Sequence, residues 1–251
     1  MSLASEKPLA KSSAFGGIAQ IVILALVLAV IIRAFLFQPY RIPSSSMEST
    51  LLAGDYVFVS KFSYGYSRYA LPFDLAFFGG RLFEHRPERG DVAVFRLPKD
   101  NSIDLIKRVI GLPGDRVQMR EGVVYINGEA VRRQRISDFI TKNEFGADRR
   151  VARYRETLPS GISYDTLDLD PVSFVDNTPV YVVPEGHYFV LGDNRDNSQD
   201  SRTEGAVGFI PFENFIGRAE YVFFSLNEGE PAWAFWRWPW TVRAERLFTR
   251  L

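Results

Sequence analysis

The chain begins, after a short polar start, with an unbroken apolar run. Residues Ser12 to Ile32 carry no charge, and Gln20 is the most polar residue between Ala14 and Ile32. The run is apolar on every face of a helix, unlike a surface helix that buries one stripe. At ~1.5 Å per residue it reaches roughly 28 Å, the hydrocarbon thickness of a bilayer. It is longer than the ~7–15 apolar residues of a cleaved secretory signal, and no small-x-small cleavage site closes it. The pattern therefore predicts an uncleaved transmembrane anchor over 14–37 behind an N-terminal tail, 1–13. Lys7 and Lys11 precede the span while Arg33 and Arg41 follow it, so flanking charge does not choose the orientation.

Beyond the anchor the period changes from all-apolar to short β-type runs. Tyr56–Val59, Val92–Phe95, Val123–Ile126, Val180–Val183 and Tyr188–Leu191 are rich in β-branched and aromatic residues. Turn signals bound them: Gly54-Asp55, Gly90-Asp91, Leu112-Pro113-Gly114-Asp115, and Asn127-Gly128 as a hairpin turn. The stretch from Arg132 to Asp176 is polar, charged and weakly periodic. It predicts an insertion, 118–184, forming a hairpin arm or a smaller β domain between two halves of a β-rich core, 38–117 and 185–251. Phe62 to Arg89 forms another long connection, of a length that is usually functional or mobile. The fold class is mainly β: a transmembrane helix, then a core of antiparallel sheets with an inserted smaller β domain.

Composition narrows the chemistry. Of 251 residues, 46% are hydrophobic, enough for one large core or two smaller ones. Lys+Arg and Asp+Glu are 30 each, and with no basic stripe nucleic acid is not an expected partner. The absence of cysteine removes disulfides, thiol nucleophiles and Cys-based metal sites. The two histidines, His85 and His187, leave little for a Ser-His-Asp triad or a multi-His metal centre. Asp196, Ser198 and Asp200 partly fit a calcium loop, but Ser201 and Val207 stand where that loop needs Gly and Glu. No metal and no cofactor is expected. The segment PAWAFWRWPW, Pro231 to Trp240, holds all four tryptophans, interleaved with or followed by Arg237, Arg243, Arg246 and Arg250. Two readings of it stand: rings at a lipid headgroup layer, or rings filling the core.

Candidate chemistry comes from serine and lysine. Ile42-Pro43-Ser44-Ser45-Ser46-Met47 follows the span, and Leu105-Ile106-Lys107-Arg108-Val109-Ile110 is a strand pattern with two cations on opposite, otherwise apolar faces. One cation must point towards hydrocarbon, and lysine is the one that can shed its charge. A desolvated, neutral lysine can serve as the base that serine needs. The loop Gly192-Asp193-Asn194-Arg195-Asp196-Asn197-Ser198 supplies further polar groups.

These ordered blocks resemble type I signal peptidase, the membrane-bound Ser-Lys endopeptidase family that removes signal peptides from exported proteins. The resemblance covers most of the chain outside the insertion, and Gly192 to Arg202 matches the family block GDNRDNSxDSR in full. It implies Ser46 as nucleophile, Lys107 as general base, and Ser44 with the Ser46 N–H as oxyanion hole. Ser198 would orient the lysine, and Asp200 and Arg202 would form a supporting pair. Small residues before the cut, Ala-x-Ala-like, imply shallow pockets lined by Ile42, Met47, Leu51 and Ile106. Preproteins carrying signal peptides and the lipid bilayer would be the partners. The catalytic part would face the outer side of a bacterial cytoplasmic membrane. The chain departs from the family at Ser45, often Gly, at Ser49, often Pro, and at Thr203–Val207, which is longer and lacks a common tryptophan. The alternatives are a self-cleaving Ser-Lys regulator on a related core, which would be soluble, a membrane-anchored β binding domain without chemistry, or a peptidase of the same family dedicated to few substrates.

Overall fold

The computed structural model describes residues 13–71, 80–142, 147–203 and 205–251. The tail before Ser13, the middle of the Phe62–Arg89 connection and residues 143–146 of the polar stretch lie outside the described residues. Helix α1 (Ser13–Ile31) continues as a π-helical turn, Ile32–Leu36. The apolar segment Gly17–Leu36 has a mean hydropathy of 2.7 and is exposed over most of its length, with Ala34 near its end buried against the rest of the chain. It is long and apolar enough to cross a bilayer. Phe37, expected to end the anchor, instead opens the first strand.

The strands in chain order are β1 (Phe37–Arg41), β2 (Asp55–Ser60), β3 (Val92–Leu97), β4 (Asp100–Gly111), β5 (Arg116–Arg120), β6 (Val123–Ile126), β7 (Glu129–Ala130) and β8 (Arg132–Arg135). They continue as β9 (Phe139–Lys142), β10 (Asp148–Thr157), β11 (Ser163–Asp168), β12 (Tyr181–Val182), β13 (His187–Leu191), β14 (Ile210–Pro211), β15 (Phe215–Ser225) and β16 (Thr249–Arg250). A short helix α2 (Trp238–Thr241) precedes β16. One large antiparallel sheet runs β1-β2-β15-β3-β4-β13-β14, with β16 on β15. Between β4 and β13 the chain builds two smaller sheets, β12-β5-β6-β7 and β11-β10-β8 with β9 on β10. The mainly β expectation holds, with antiparallel pairing throughout these sheets.

Every short β-type run read from the sequence lies on a strand, although only Tyr181–Val182 of the run Val180–Val183 pairs. The Asn127-Gly128 signal sits between β6 and β7 with both φ angles positive, +54° and +89°, which is the requirement of a type I′ hairpin. The insertion is not packed as an isolated arm. Its Met119, Val124, Leu158 and Tyr164 share one buried cluster with Val117 and with Ile110, Phe189 and Leu191 of the large sheet. The C-terminal tryptophans do not fill the core: exposure runs from 38% at Trp238 to 78% at Trp240. Only Trp238 of the four packs a ring on the sheet, against Phe224 at 4.9 Å.

Two strand edges position the site. β3 pairs along β4 from Asp100 to Arg108, but β13 takes the other side of β4 only from Arg108 to Gly111. The edge of β4 before Arg108 is therefore unpaired among the described residues. Among the described residues β1 pairs only with β2. The sheet coils until these edges meet, and the Tyr40 hydroxyl of β1 donates to Asp104 of β4 at 3.1 Å.

Candidate active site

The serine run follows β1 directly. Backbone bonds from Glu48 N–H to Ser45 O and from Leu51 N–H to Met47 O turn it back towards β2. Met47 and Leu51 are fully buried with Val57, Val59 and Val94, so these apolar anchors hold the turn that presents Ser46. Both were expected to line substrate pockets; they sit in the core and line neither cleft described here. Ile42 and Ile106 do meet at a surface recess of about 50 Å³, together with Tyr40, Pro43, Asp104 and Leu105. The recess lies between the two unpaired edges.

Lys107 lies on β4 and is only 3% exposed. Its Nζ donates to Ser46 Oγ at 2.6 Å. Burial is the main influence on this lysine and brings its pKa down to about 8, although Asp200 and Asp193 pull the other way. Arg108, the other cation of the strand pattern, is buried as well, at 4% exposed. It stays charged because Asp193 accepts from Nε at 2.9 Å and from Nη2 at 2.7 Å, with Gly90 O taking Nη1 at 2.8 Å. The two neighbours solve burial differently, one by a counter-ion and one by a lowered proton affinity.

Ser44 Oγ stands 3.4 Å from Ser46 Oγ at the exposed side of the turn. Ser198 is brought into the same cleft, but its hydroxyl faces Asp200 and does not make the expected bond to Lys107. Lys107 reaches Ser46 instead. Asp200 and Arg202 do pair, Nε to Oδ1 at 2.9 Å and Nη2 to Oδ2 at 2.8 Å, and the Gly192 N–H donates to Asp200 Oδ2 at 3.0 Å. Burial is the largest influence on Asp200 and acts to raise it, but the Arg202 charge together with hydrogen bonds from Arg202, the Gly192 N–H and Ser198 outweighs it and holds the carboxyl below the ordinary range. Gly192 is required by space: a Cβ there would lie 2.2 Å from Ser198 Oγ and 2.5 Å from Ser46 O.

Residues the sequence reading passed over complete the clasp. Asn194 donates from its N–H to Ser46 O and from Nδ2 to Ser45 O, both at 3.1 Å. Asn197 Nδ2 donates to Ser45 Oγ at 2.7 Å, so the side chain that departs from the family pattern is held rather than crowded. Their place in the matched loop was the available signal. The carboxylates of the partial calcium pattern are engaged elsewhere, Asp200 by Arg202 and Asp196 by the N–H groups of Leu169 and Asp170. His85 and His187 bond carbonyls of Phe83 and Glu185, outside the residues lining this cleft.

Ser44, Ser46, Lys107 and Ser198 open into a cleft of about 810 Å³. Its walls include Leu97, Ile103 and Leu105 on one side and Phe174 and Val175 of the insertion on another. The departing segment after Arg202 contributes Thr203, Ala206 and Val207.

The chain is similar to known proteins over most of its length. A signal peptidase I of Rickettsia typhi is 44% identical over 208 residues, 80% of this chain and 76% of that protein. A signal peptidase I of Rickettsia prowazekii is 43% identical over 221 residues, 85% of this chain and 80% of its own length. A solved signal peptidase I from Enterococcus faecalis is 30% identical and covers 53% of this chain and 97% of that one, with a TM-score of 0.31. The family model described as signal peptidase, peptidase S26, matches residues 16–224, from within α1 to near the end of β15. That match takes in Ser46, Lys107 and the Gly192–Arg202 loop alike, so the chain belongs to the signal peptidase family, peptidase S26, and is a serine-type peptidase.

Proposed function

We propose that this chain removes signal peptides from exported preproteins by cutting after small residues, with Ser46 as nucleophile and Lys107 as general base. The observation that carries this reading is the 2.6 Å contact between Lys107 Nζ and Ser46 Oγ in a buried setting. With Lys107 neutral, the contact reverses and the Ser46 hydroxyl donates to the amine lone pair. Lys107 takes that proton as Ser46 Oγ attacks the scissile carbonyl carbon. The Ser44 hydroxyl and the Ser46 N–H stabilise the oxyanion. The C–N bond then breaks, and Lys107 returns the proton to the departing amine. It next takes a proton from water, whose oxygen attacks the acyl ester, and gives that proton to Ser46 Oγ as the ester C–O bond breaks.

The substrate lies as an extended strand between the unpaired edges of β1 and β4, where backbone bonds give affinity and side-chain recesses give selectivity. A recess of about 50 Å³ beside Ile42 and Ile106 suits a side chain the size of alanine. Helix α1 anchors the enzyme in the cytoplasmic membrane with the N-terminal tail inside and the catalytic part outside. The exposed tryptophans then sit at the headgroup layer, where a ring and a polar edge are both satisfied. Residues 118–184 act as an inserted β domain of the same catalytic body.

The test is cleavage of a preprotein by the detergent-solubilised chain, with Ser46→Ala and Lys107→Ala alongside. Cleavage after an Ala-x-Ala-like site, lost in both variants, is expected. Cleavage that survives in either variant refutes the Ser-Lys assignment.

A further inference from the structure

Glu156 is a carboxylate on β10, in the polar insertion, yet it is 0% exposed. Its Oε1 and Oε2 accept from Arg195 Nη1 and Nη2 at 2.8 and 2.6 Å, and the Tyr164 hydroxyl of β11 donates to Oε2 at 2.9 Å. Arg133 of β8 approaches Oε1 at 3.9 Å and pairs more closely with Asp168, at 2.8 Å. Arg195 belongs to the loop after β13 that also carries Ser198, Asp200 and Arg202.

Backbone bonds reinforce the same join. The Leu167 N–H of β11 donates to Asp193 O at 2.9 Å, and the Arg195 N–H donates to Leu167 O at 3.0 Å. On its other side this loop holds the serine turn, through Asn194 to Ser46 O and Asn197 to Ser45 Oγ. A path of hydrogen bonds joined by one peptide link therefore runs from Glu156 to Arg195, along the chain to Asn194, and on to the backbone of Ser46.

Attachment of the insertion does not explain this path. The shared apolar cluster around Leu158, Tyr164, Phe189 and Leu191 already supplies attachment. A buried ion pair is a poor source of stability, since well-packed apolar residues often do as well or better. What a bidentate carboxylate–guanidinium pair supplies is one fixed geometry. We infer that the insertion positions the catalytic loop, and that Glu156 is the positioning residue that fixes Arg195 and, through Asn194, the backbone of Ser46. The inference rests on the Ser46–Lys107 reading given above.

The experiment compares preprotein cleavage by the full detergent-solubilised chain and its Glu156→Gln, Tyr164→Phe, Glu156→Gln/Arg195→Gln and Ser46→Ala variants, each with a thermal melt. Glu156→Gln is expected to lower kcat roughly 10- to 100-fold with KM within about twofold, the cost of a small misplacement far from the bond being cut. Tyr164→Phe, which removes one bond to the carboxylate, should lose a few-fold in kcat. The double variant removes both buried charges, so its melting temperature should recover towards that of the unaltered chain while kcat stays low. Recovery of kcat together with stability would show a merely structural role and overturn the inference, even if the single variant folds poorly. Unchanged kcat in Glu156→Gln with an inactive Ser46→Ala would overturn it while leaving the Ser-Lys reading intact. An active Ser46→Ala would remove that reading itself.

Discussion

Replacing Lys107 by methionine should make the protein more stable while abolishing its activity. Folding carries the Lys107 ammonium from water to a site 3% exposed, where burial brings its pKa from 10.5 to about 8. At pH 7 the lysine is protonated in both states, so holding the proton in the fold costs about 3 kcal/mol, at ~1.4 kcal/mol per pKa unit. Methionine has similar length and no charge to desolvate. It forgoes the bond to Ser46, a loss of about 1 kcal/mol. The net gain of about 2 kcal/mol corresponds to roughly 4–8 °C in Tm for a chain of this size. The pH dependence is the sharper test. Between about pH 8 and 10.5 the unfolded chain keeps a proton that folded Lys107 has released, so the unaltered protein gains stability as pH rises through that window. Its deficit against the variant should shrink by about 2 kcal/mol by roughly pH 9.5. Thermal melts of both detergent-solubilised chains at pH 7 and 9.5, followed by near-UV circular dichroism, give this double difference. The other titrating groups are common to both chains and cancel. A Tm difference that stays constant with pH would refute the reasoning, because it would mean that the fold compensates the Lys107 charge.

The same lysine predicts that kcat rises about tenfold per pH unit below roughly pH 8 and levels off above it; a limb near pH 10.5, measured with a preprotein substrate, would contradict a desolvated base. Gly192→Ala puts a Cβ 2.2 Å from Ser198 Oγ and 2.5 Å from Ser46 O, so cleavage should fall by about 100-fold with little change in the circular dichroism spectrum, whereas near-full activity would show that the clasp can give way. Burial, aided by Glu228, raises the Glu48 carboxyl to about pKa 7, so its folded form holds a proton that the unfolded chain gives up between about pH 4.5 and 7. Stability is lost as pH rises through that window, and Glu48→Gln should raise Tm at pH 8 but not at pH 4; an equal effect at both would argue against a buried carboxylate.

The legible parts of this chain were those with a strong local signal. An apolar run without alternation, short β-branched strands and an Asn-Gly hairpin are decided by neighbouring residues, and each appears where the sequence puts it. The Ser46–Lys107 contact joins residues far apart in sequence, and it was legible only through blocks matching a known family. What stayed hidden depends on pairing at a distance. β15 was not read because Arg218, Glu220 and Gly217 interrupt its apolar run, yet it is central between β2 and β3. The burial of Arg108 beside Lys107 is not legible in the sequence because its counter-ion, Asp193, is remote along the chain. Met47 and Leu51 were read as pocket residues from their closeness to the nucleophile, but the turn sends them inward. The tryptophan segment gave two readings from one composition, and only the tertiary structure, which leaves all four rings exposed, removed the core-filling one.

The arginines around the site bear on why Lys107 can act at all. A lysine beside a free carboxylate is held protonated, since an opposite charge within a few ångströms favours the charged form. Asp200 and Asp193 are the two carboxylates that act on Lys107 in that direction. Each is buried, and each accepts a two-pronged bond from an arginine, Asp200 from Arg202 and Asp193 from Arg108. Guanidinium keeps its proton, so each carboxylate faces Lys107 already paired with a fixed positive charge. Burial prevails over both carboxylates at Lys107. The loop needs acidic residues to tie its backbone, as Asp200 does at the Gly192 N–H, and the arginines let it have them without recharging the base. Arg108, directly next to Lys107 in sequence, thus serves the nucleophile's base by occupying the carboxylate that would otherwise disable it.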